Sequence, residues 1–550
     1  MAKDNIAESL MAVAPKAVVH LRSQHQRKRL GLIFGSGASK ELGFPDWNAL
    51  VEAIAADDDV QASDLLKTFH VGGDDGPLSK SLSSITQMLF SHFRARQIEI
   101  NSLTSPLTFL EEQSIKSAWL KILHKCLYSG VDHATREKVI ADHPYLNAFK
   151  TIIKESPMTV NYNFDDTLEK LLVQARTEDE LETTRGYEVV DGPNCQFQKD
   201  SSVVYHPNGF LPSEFSDGAS ADVVFSDDAF QDQLVSAATG KYLHLSNHLF
   251  RNTCLLIGLS LEDTTLQSML RQNAVSNSGH VHYIVHYTPS ETPRNSAAEK
   301  IIFETNFSSY NLYTLFLDGD GIRTLAETIV LEKKTFKARN PKAVRKFVYY
   351  LTGCIGAGKS TAAGNFRNLT TYDEWIDERL PELAQPQFEM SPEQVEAIDE
   401  WVRTQFRKKN FTLFFEDEGI HLVDRCPLDP LTFGTAGERP PKAQALLGTI
   451  LASEEWRVQS GQIINLSCDK GELVLRNSYK HKYWGEDRIQ ELLDSIESVY
   501  GPLSPTTICT RGRTPNEVAR EIAKVIFLDE YQPADIGAEL LRQSALEHIQ

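Results

Sequence analysis

Short apolar runs that end in glycine, asparagine or aspartate turns recur along this chain. Each is followed by a stretch whose apolar residues return every three or four positions. Leu32–Phe34 runs into the turn Gly35-Ser36-Gly37-Ala38-Ser39, and Trp47–Ala56 then reads as a helix. Residues 57–80 are polar and broken by Gly72-Gly73-Asp74-Asp75-Gly76-Pro77. From Ser81 to about Lys154 the spacing is helical, as in SLSSITQMLFSHF and IKSAWLKILHKCL. A β-rich start returns at Met158 in MTVNYNFDDTLEKLL, with an Asn/Asp turn and a helix to Leu172. Val203–Pro212, Cys254–Leu270, His280–Val285 and Leu312–Leu317 supply further strands. Strand–turn–helix units of this kind predict a parallel, doubly wound α/β sheet with its ligand at the carboxyl ends of the strands.

The pattern then breaks. Glu332–Lys346 is polar, contains Asn-Pro and has seven Lys or Arg, which reads as a solvated connector more readily than as a nucleic-acid contact. From Phe347 a second α/β unit begins, with strand VYYLTG, loop GCIGAGKST and helix TAAGNFRNL. Helices follow from Ser391 to about Lys409, Asp487 to Tyr500 and Pro515 to Val525, with strands at Gly419–Val423 and Gln462–Ser467. The tail beyond Asp529 reads as a surface helix. The expected organisation is a first domain over 1–331 with a helical insertion at about 80–155, a linker over 332–346, and a second domain over 347–550.

Composition narrows the class. At 550 residues the chain exceeds what one core supports, and 41% hydrophobic with 24% charged residues is ordinary for a soluble globular protein. A net charge of −19 opposes a general nucleic-acid binder. No apolar run approaches the roughly 20 residues of a membrane span, and the amphipathic N-terminus lacks a secretory signal, so a cytoplasmic protein is expected. Cys126, Cys195, Cys254, Cys354, Cys426, Cys468 and Cys509 form no C-x-x-C pair. Neither structural zinc nor a disulfide framework is expected, and each cysteine reads as a small buried residue.

Alone, the Gly35–Ser39 turn is as well read as structural. Its surroundings, GSGASKELGFPDW, resemble the NAD-binding loop of sirtuins: Gly35, Gly37, Ser39, Gly43, Pro45 and Asp46 match, while Trp47-Asn48 replaces the usual Phe-Arg. Asn163-Phe164-Asp165, followed by Leu168-Glu169, resembles the strand end of bacterial sirtuin-like defence proteins. Gly258-x-Ser260 with Asp263 is similar to the family's third NAD-contacting loop. The resemblance implies a Rossmann-like sirtuin domain that takes NAD as substrate, with Gly35, Ser36, Gly37, Ala38, Ser39, Pro45, Asp46, Gly258, Ser260 and Asp263 binding it. Cleavage of the nicotinamide–ribose bond develops positive charge on the ribose. A neutral Asn163 can position ribose hydroxyls or water, and Asp165 can orient Asn163 or stabilise the cation. The alternative for Asn163 is a turn or helix cap. The family carries His-Gly where this chain has Asn208-Gly209. His206, two residues earlier on the same face of an extended segment, is either the base or a structural histidine. The family's zinc ribbon is absent. That favours NAD hydrolysis over protein deacylation and, by resemblance, a role in anti-phage abortive infection as a homo-oligomer.

Gly353–Ser360 satisfies the phosphate-binding pattern G-x-x-x-x-G-K-[ST] between a predicted strand and helix. Lys359 would reach the β- and γ-phosphates and Ser360 would hold Mg²⁺, with Gly353, Gly356, Gly358 and Thr361 completing a site for ATP or another nucleotide. Asp424-Arg425 resembles the acid–arginine signature of thymidylate and deoxynucleoside kinases. Arg476 to Lys482 resembles their cationic lid or is a solvated helix, and Thr510 to Val525 resembles their closing segment. Asp373, Glu374 and Trp375 fall where such kinases bind the acceptor, and Trp375 could stack on a base or be a core residue. Together these readings predict an NAD⁺ glycohydrolase controlled by a nucleotide-binding, kinase-like domain. The alternatives are a nucleoside monophosphate kinase with a regulatory NAD site, a protein deacylase, and a nucleotide-gated binding module.

Overall fold

A computed structural model describes residues 10–546 apart from 70–79, 105, 133, 175–185, 193–201, 216–217, 222, 239–241, 292, 385–389, 452–456 and 480–484. The Gly72–Pro77 breaker, Cys195, the first nine residues of the N-terminal amphipathic stretch and positions 480–482 of the basic stretch lie outside the described residues.

The chain forms two compact units, one of Gln24–Asn273 with His282–Phe336, the other of Ser9–Ser23, Ala274–Val281 and Lys337–Gln550. This differs from a cut at the connector, for a physical reason. Arg22, on the helix Pro15–Gln26, is wholly buried and pairs with Glu418 at 3.2 Å inside the second unit. Gly279 packs there against Asn365 and Phe366. The connector is not bare chain either: it contains the helix Lys333–Arg339, with Phe336 fully buried.

The first unit is built on seven strands: β1 (Leu30–Phe34), β2 (Thr159–Asn161), β3 (Tyr187–Val190), β4 (Ser202–Tyr205), β5 (Thr253–Ile257), β6 (His282–Tyr287) and β7 (Leu312–Leu317). Their order is β3-β4-β2-β1-β5-β6-β7, and every pair is parallel. β1 and β5 are buried at every position, which explains their continuous apolar runs. Ile33, Val160, Tyr205, Leu256 and Leu270 join one core. Because β1 is flanked by β2 on one side and β5 on the other, the order reverses at β1, which opens a crevice at the carboxyl ends of the three strands. Between β1 and β2 lie the helices Trp47–Ala56, Ser63–Lys67, Leu82–Ile100, Phe109–Leu127, Arg136–Asp142 and Leu146–Glu155.

The second unit carries a five-stranded parallel sheet: β8 (Lys346–Gly353), β9 (Thr370–Tyr372), β10 (Gly419–Asp424), β11 (Gln462–Ser467) and β12 (Thr506–Cys509), in the order β12-β11-β8-β10-β9. Here too the central strand, β8, delivers the glycine loop between two neighbours. The helix after that loop is shorter than its sequence predicts. It covers Lys359–Ala363 and tightens to a 3₁₀ turn at Gly364–Phe366, as the helix-poor Gly364-Asn365 pair requires. The helix from Ser391 is longer than expected, Pro392–Phe415, with a Ser391–Gln394 capping box. The tail helix, Ile536–Ser544, buries Ile536 and Leu540 completely, so one face is packed. Among the described residues no helix is long and apolar enough to cross a membrane.

Candidate functional sites

At the crevice of the first unit, three strand ends are stitched together. β2 is held to β1 beyond its last residue by Tyr162 N–H donating to Phe34 O at 2.9 Å. The next residue, Asn163, donates from its main chain to Asn161 Oδ1 at 3.1 Å. Its side-chain amide donates to Gly35 O at 3.1 Å and Ser39 Oγ at 2.9 Å. From the other side, the β5 loop enters with Gly258 at φ +68, and a Cβ there would overlap the Ala38 nitrogen. Glycine at 258 is therefore demanded by both backbone conformation and space.

The same packing engages the amides of the turn. Gly35 N–H donates to Ile257 O and Gly37 N–H to Gly258 O, both at 3.0 Å, while Ala38 and Ser39 donate to Gly35 O and Ser36 O. Four of the five amides in the turn are spent within the protein, so the turn is not an open cradle of N–H groups. Above it lies a cleft of about 670 Å³, lined by Ser36, Gly37, Pro45, Asp46, Gly258 and Ser260 from the predicted set. Lys40, His286, Tyr287 and Asn306 line it as well. Ala38 and Ser39 are buried beneath. Asp46 also caps the helix Trp47–Ala56 through Ala49 N–H at 3.0 Å.

Asn163, Asp165, His206 and Asp263 are not among the residues that line this cleft. Asp165 is 2% exposed and accepts from Thr167 N–H at 3.0 Å, and burial pushes its carboxyl up. His206 is wholly buried. Its Nδ1 lies 2.9 Å from Asn163 O and its Nε2 lies 2.8 Å from Glu169 Oε1. Burial opposes its protonation, but the Glu169 carboxylate outweighs this and the imidazole titrates above its ordinary range. With both nitrogens engaged, His206 is not a base facing the cleft. Asn208, at the position expected to hold histidine, accepts from Gln233 at 3.0 Å, and burial pushes up the carboxyl of Asp263.

In the second unit, Gly353 has φ +136 and a Cβ on it would overlap Leu466 O, so β11 closes directly on the loop root. Lys359 Nζ folds back onto Gly353 O at 2.7 Å and Cys354 O at 3.2 Å. Ser360 Oγ donates to Asp424 Oδ2 at 2.6 Å, and Asp424 Oδ1 is buried with no hydrogen-bond partner. Burial raises the Asp424 carboxyl. Arg425 sits in the left-handed region at φ +76, stacks its guanidinium 5.4 Å from the Trp375 ring centroid, and pairs with Glu374 (Nε–Oε1 2.9 Å) and Asp429 (3.4 Å). Arg476 donates to Gly356 O at 3.3 Å and Thr510 O at 2.9 Å, so it braces the loop backbone. Lys409, which the sequence does not single out, is buried. It donates to Glu374 O at 2.9 Å and Asp424 O at 2.7 Å, and burial brings its ammonium down to about 8.

Residues 157–314 match the family model of the SIR2-like domain. This SIR2-like region contains Asn163, Asp165, His206, Gly258, Ser260 and Asp263, and begins after the Gly35–Ser39 turn. No curated protein matches the chain in sequence. Among solved structures, the chain is similar to two of deoxyadenosine kinase from M. mycoides. One, with dCMP and a flexible dCDP bound, is 16% identical at a TM-score of 0.25; the other, with dATP bound, is 14% identical at 0.26. Each similarity covers 32% of this chain and 96% of the kinase.

Glu169, thirty-seven residues from its partner His206, is the member of this buried cluster that sequence reasoning missed. Its one signal was the Leu168-Glu169 pair following Asn163-Phe164-Asp165. Lys409 gave no signal, because a lysine on a long helix reads as solvated.

Proposed function

We propose that the first unit is an NAD⁺ glycohydrolase and that the second binds a Mg²⁺-nucleotide which controls it. The observation that carries the first half is the clamp of the Asn163 amide on Gly35 O and Ser39 Oγ, which fixes a neutral amide at the strand-order reversal of a SIR2-like domain. In the reaction, water adds to C1′ of the nicotinamide ribose. The C1′–N bond breaks with its electron pair going to nicotinamide, and the water's proton passes to solvent. With both amide hydrogens engaged, Asn163 orients the water or a ribose hydroxyl by accepting at Oδ1 as positive charge develops. With Asn208 in an amide network and His206 buried, this reading depends on an oriented water rather than a side-chain base.

For the second unit, the residues fit a nucleotide with Mg²⁺. Ser360 Oγ and the unpartnered Asp424 Oδ1 would hold the ion, which would supply charge neutralisation at the phosphates. Lys359 would leave the loop carbonyls for the phosphates. An NADase under nucleotide control suits an anti-phage effector that depletes NAD when nucleotide pools change, and a homo-oligomer belongs to the same reading. A second reading, a nucleoside phosphate kinase with a regulatory NAD site, is favoured by the buried His206 and by the Lys359–Ser360–Asp424 set.

The two are separated by incubating the purified chain with NAD⁺ across a panel of nucleotides and quantifying nicotinamide and ADP-ribose. The first reading expects equimolar release, independent of any acyl-lysine peptide and lost in Asn163→Ala. ATP consumption with a nucleoside phosphate acceptor, while NAD⁺ survives every condition, overturns it.

A further inference from the structure

The Glu169–His206 pair is costly where it stands. His206 is 0% and Glu169 3% exposed, and Glu169 Oε2 is buried with no hydrogen-bond partner. A buried carboxylate with one oxygen unsatisfied is worse for stability than apolar side chains of similar volume, so packing alone does not explain it. The direction of its hydrogen bonds does. A main-chain carbonyl can only accept, so the short contact to Asn163 O fixes the proton on His206 Nδ1. Nε2 then faces Glu169, which fixes the ring plane. The Phe210 ring, with its centroid 4.6 Å from that of His206, packs against the ring. On the other side, Asn161 Oδ1 holds the Asn163 N–H. Both peptide groups of Asn163 are therefore clamped, and its side chain is left one direction, onto the Gly35–Ser39 turn.

We infer that Glu169 and His206 form a positioning dyad for Asn163, with Glu169 orienting His206 and His206 holding the Asn163 carbonyl, and that neither exchanges a proton with substrate. This rests on the reading of the first unit as an NADase with Asn163 at its centre.

The test compares Glu169→Ala with Glu169→Gln in the full chain. A glutamine can donate its amide N–H to Nε2 and leave the proton on Nδ1, so it keeps the orientation without the charge. Glu169→Ala is expected to lower kcat by at least tenfold with KM within about threefold. Glu169→Gln is expected to recover most of that loss. If glutamine is as damaging as alanine, or costs more than about a hundredfold in kcat, the dyad works through its charge and the inference fails. Hydrogen exchange provides a readout that needs no turnover. Glu169→Ala should speed exchange in peptides spanning 161–166 and 35–39, and Glu169→Gln should not. Unchanged exchange in both variants overturns the dyad. Absence of NAD⁺ cleavage by the unaltered chain, with exchange behaving as expected, overturns the NADase reading and leaves the dyad standing. If Glu169→Ala does not fold, the exchange and kcat of Glu169→Gln decide alone.

Discussion

The two glycine turns, after β1 and after β8, occupy the same topological place and are built in opposite ways. After β1, four amides of Gly35–Ser39 bond to protein carbonyls, and the turn is pinned by Gly258 on one side and Asn163 on the other. After β8, the loop keeps a cation: Lys359 lies on the carbonyls of its own loop, and Gly356 and Gly358 donate no backbone hydrogen bond among the described residues. The first turn is a rigid floor that presents side chains. In the second, on the proposed reading, the loop is an anion cradle whose positive charge is stored until a phosphate competes for it.

The largest expected effect breaks the floor. Gly258→Ala places a Cβ onto the Ala38 nitrogen in a left-handed conformation, which costs about 2–4 kcal/mol and displaces the turn. NAD⁺ cleavage should fall by more than a hundredfold, while nucleotide binding by the second unit, read by calorimetry, holds. Equal loss at both sites would mean the floor is not a separate device. Next is Asn163→Ala, which should lower kcat by about 10²–10³. Thermal stability should drop by only about 1 kcal/mol, since two hydrogen bonds at a half-buried residue are lost. A KM effect without a kcat effect would make Asn163 part of the floor only.

Lys359→Ala tests the cradle. It should weaken triphosphate binding by about tenfold to a hundredfold, because a charge-assisted contact worth about 1.5–3 kcal/mol is removed. Affinity within twofold of the unaltered chain would mean that the lysine stays on its carbonyls. The last effect concerns Lys409 and is read in stability alone. Its folded-state value, near 8, lies below the ordinary 10.5, so the desolvation cost is fully present below pH 8. Above pH 8 the unfolded chain holds the extra proton, so the cost is relieved as pH rises towards 10.5. Relative to Lys409→Met, the unaltered chain should gain up to about 3 kcal/mol of unfolding free energy between pH 8 and 10.5. A flat difference across that range would place the ammonium in solvent.

Much of this was legible because the demands are local. The glycine turns, the apolar strands that feed them, and the helix Trp47–Ala56 with its Asp46 cap are written in adjacent residues. β3, β9 and β12 are three or four residues long, too short for any periodicity to declare them. The site partners that escaped are distant pairs. Arg425 meets Glu374 across fifty-one residues, and His206 meets Glu169 across thirty-seven. The assignment of Ser9–Ser23 to the second unit depends on Arg22 finding Glu418 across 396 residues, which no spacing reveals. His206 was visible as a candidate. Its burial, which turns it away from the cleft, was not.

The most direct measurement is the rate of nicotinamide release by the full chain as a Mg²⁺-nucleotide is titrated, run in parallel on Asn163→Ala and Lys359→Ala. A floor for NAD and a separate cradle for its controller predict a rate that one nucleotide changes at least fivefold in the unaltered chain. That rate should vanish in Asn163→Ala and become insensitive to nucleotide in Lys359→Ala. Cleavage that survives Asn163→Ala, or that responds to nucleotide equally with and without Lys359, would contradict the account.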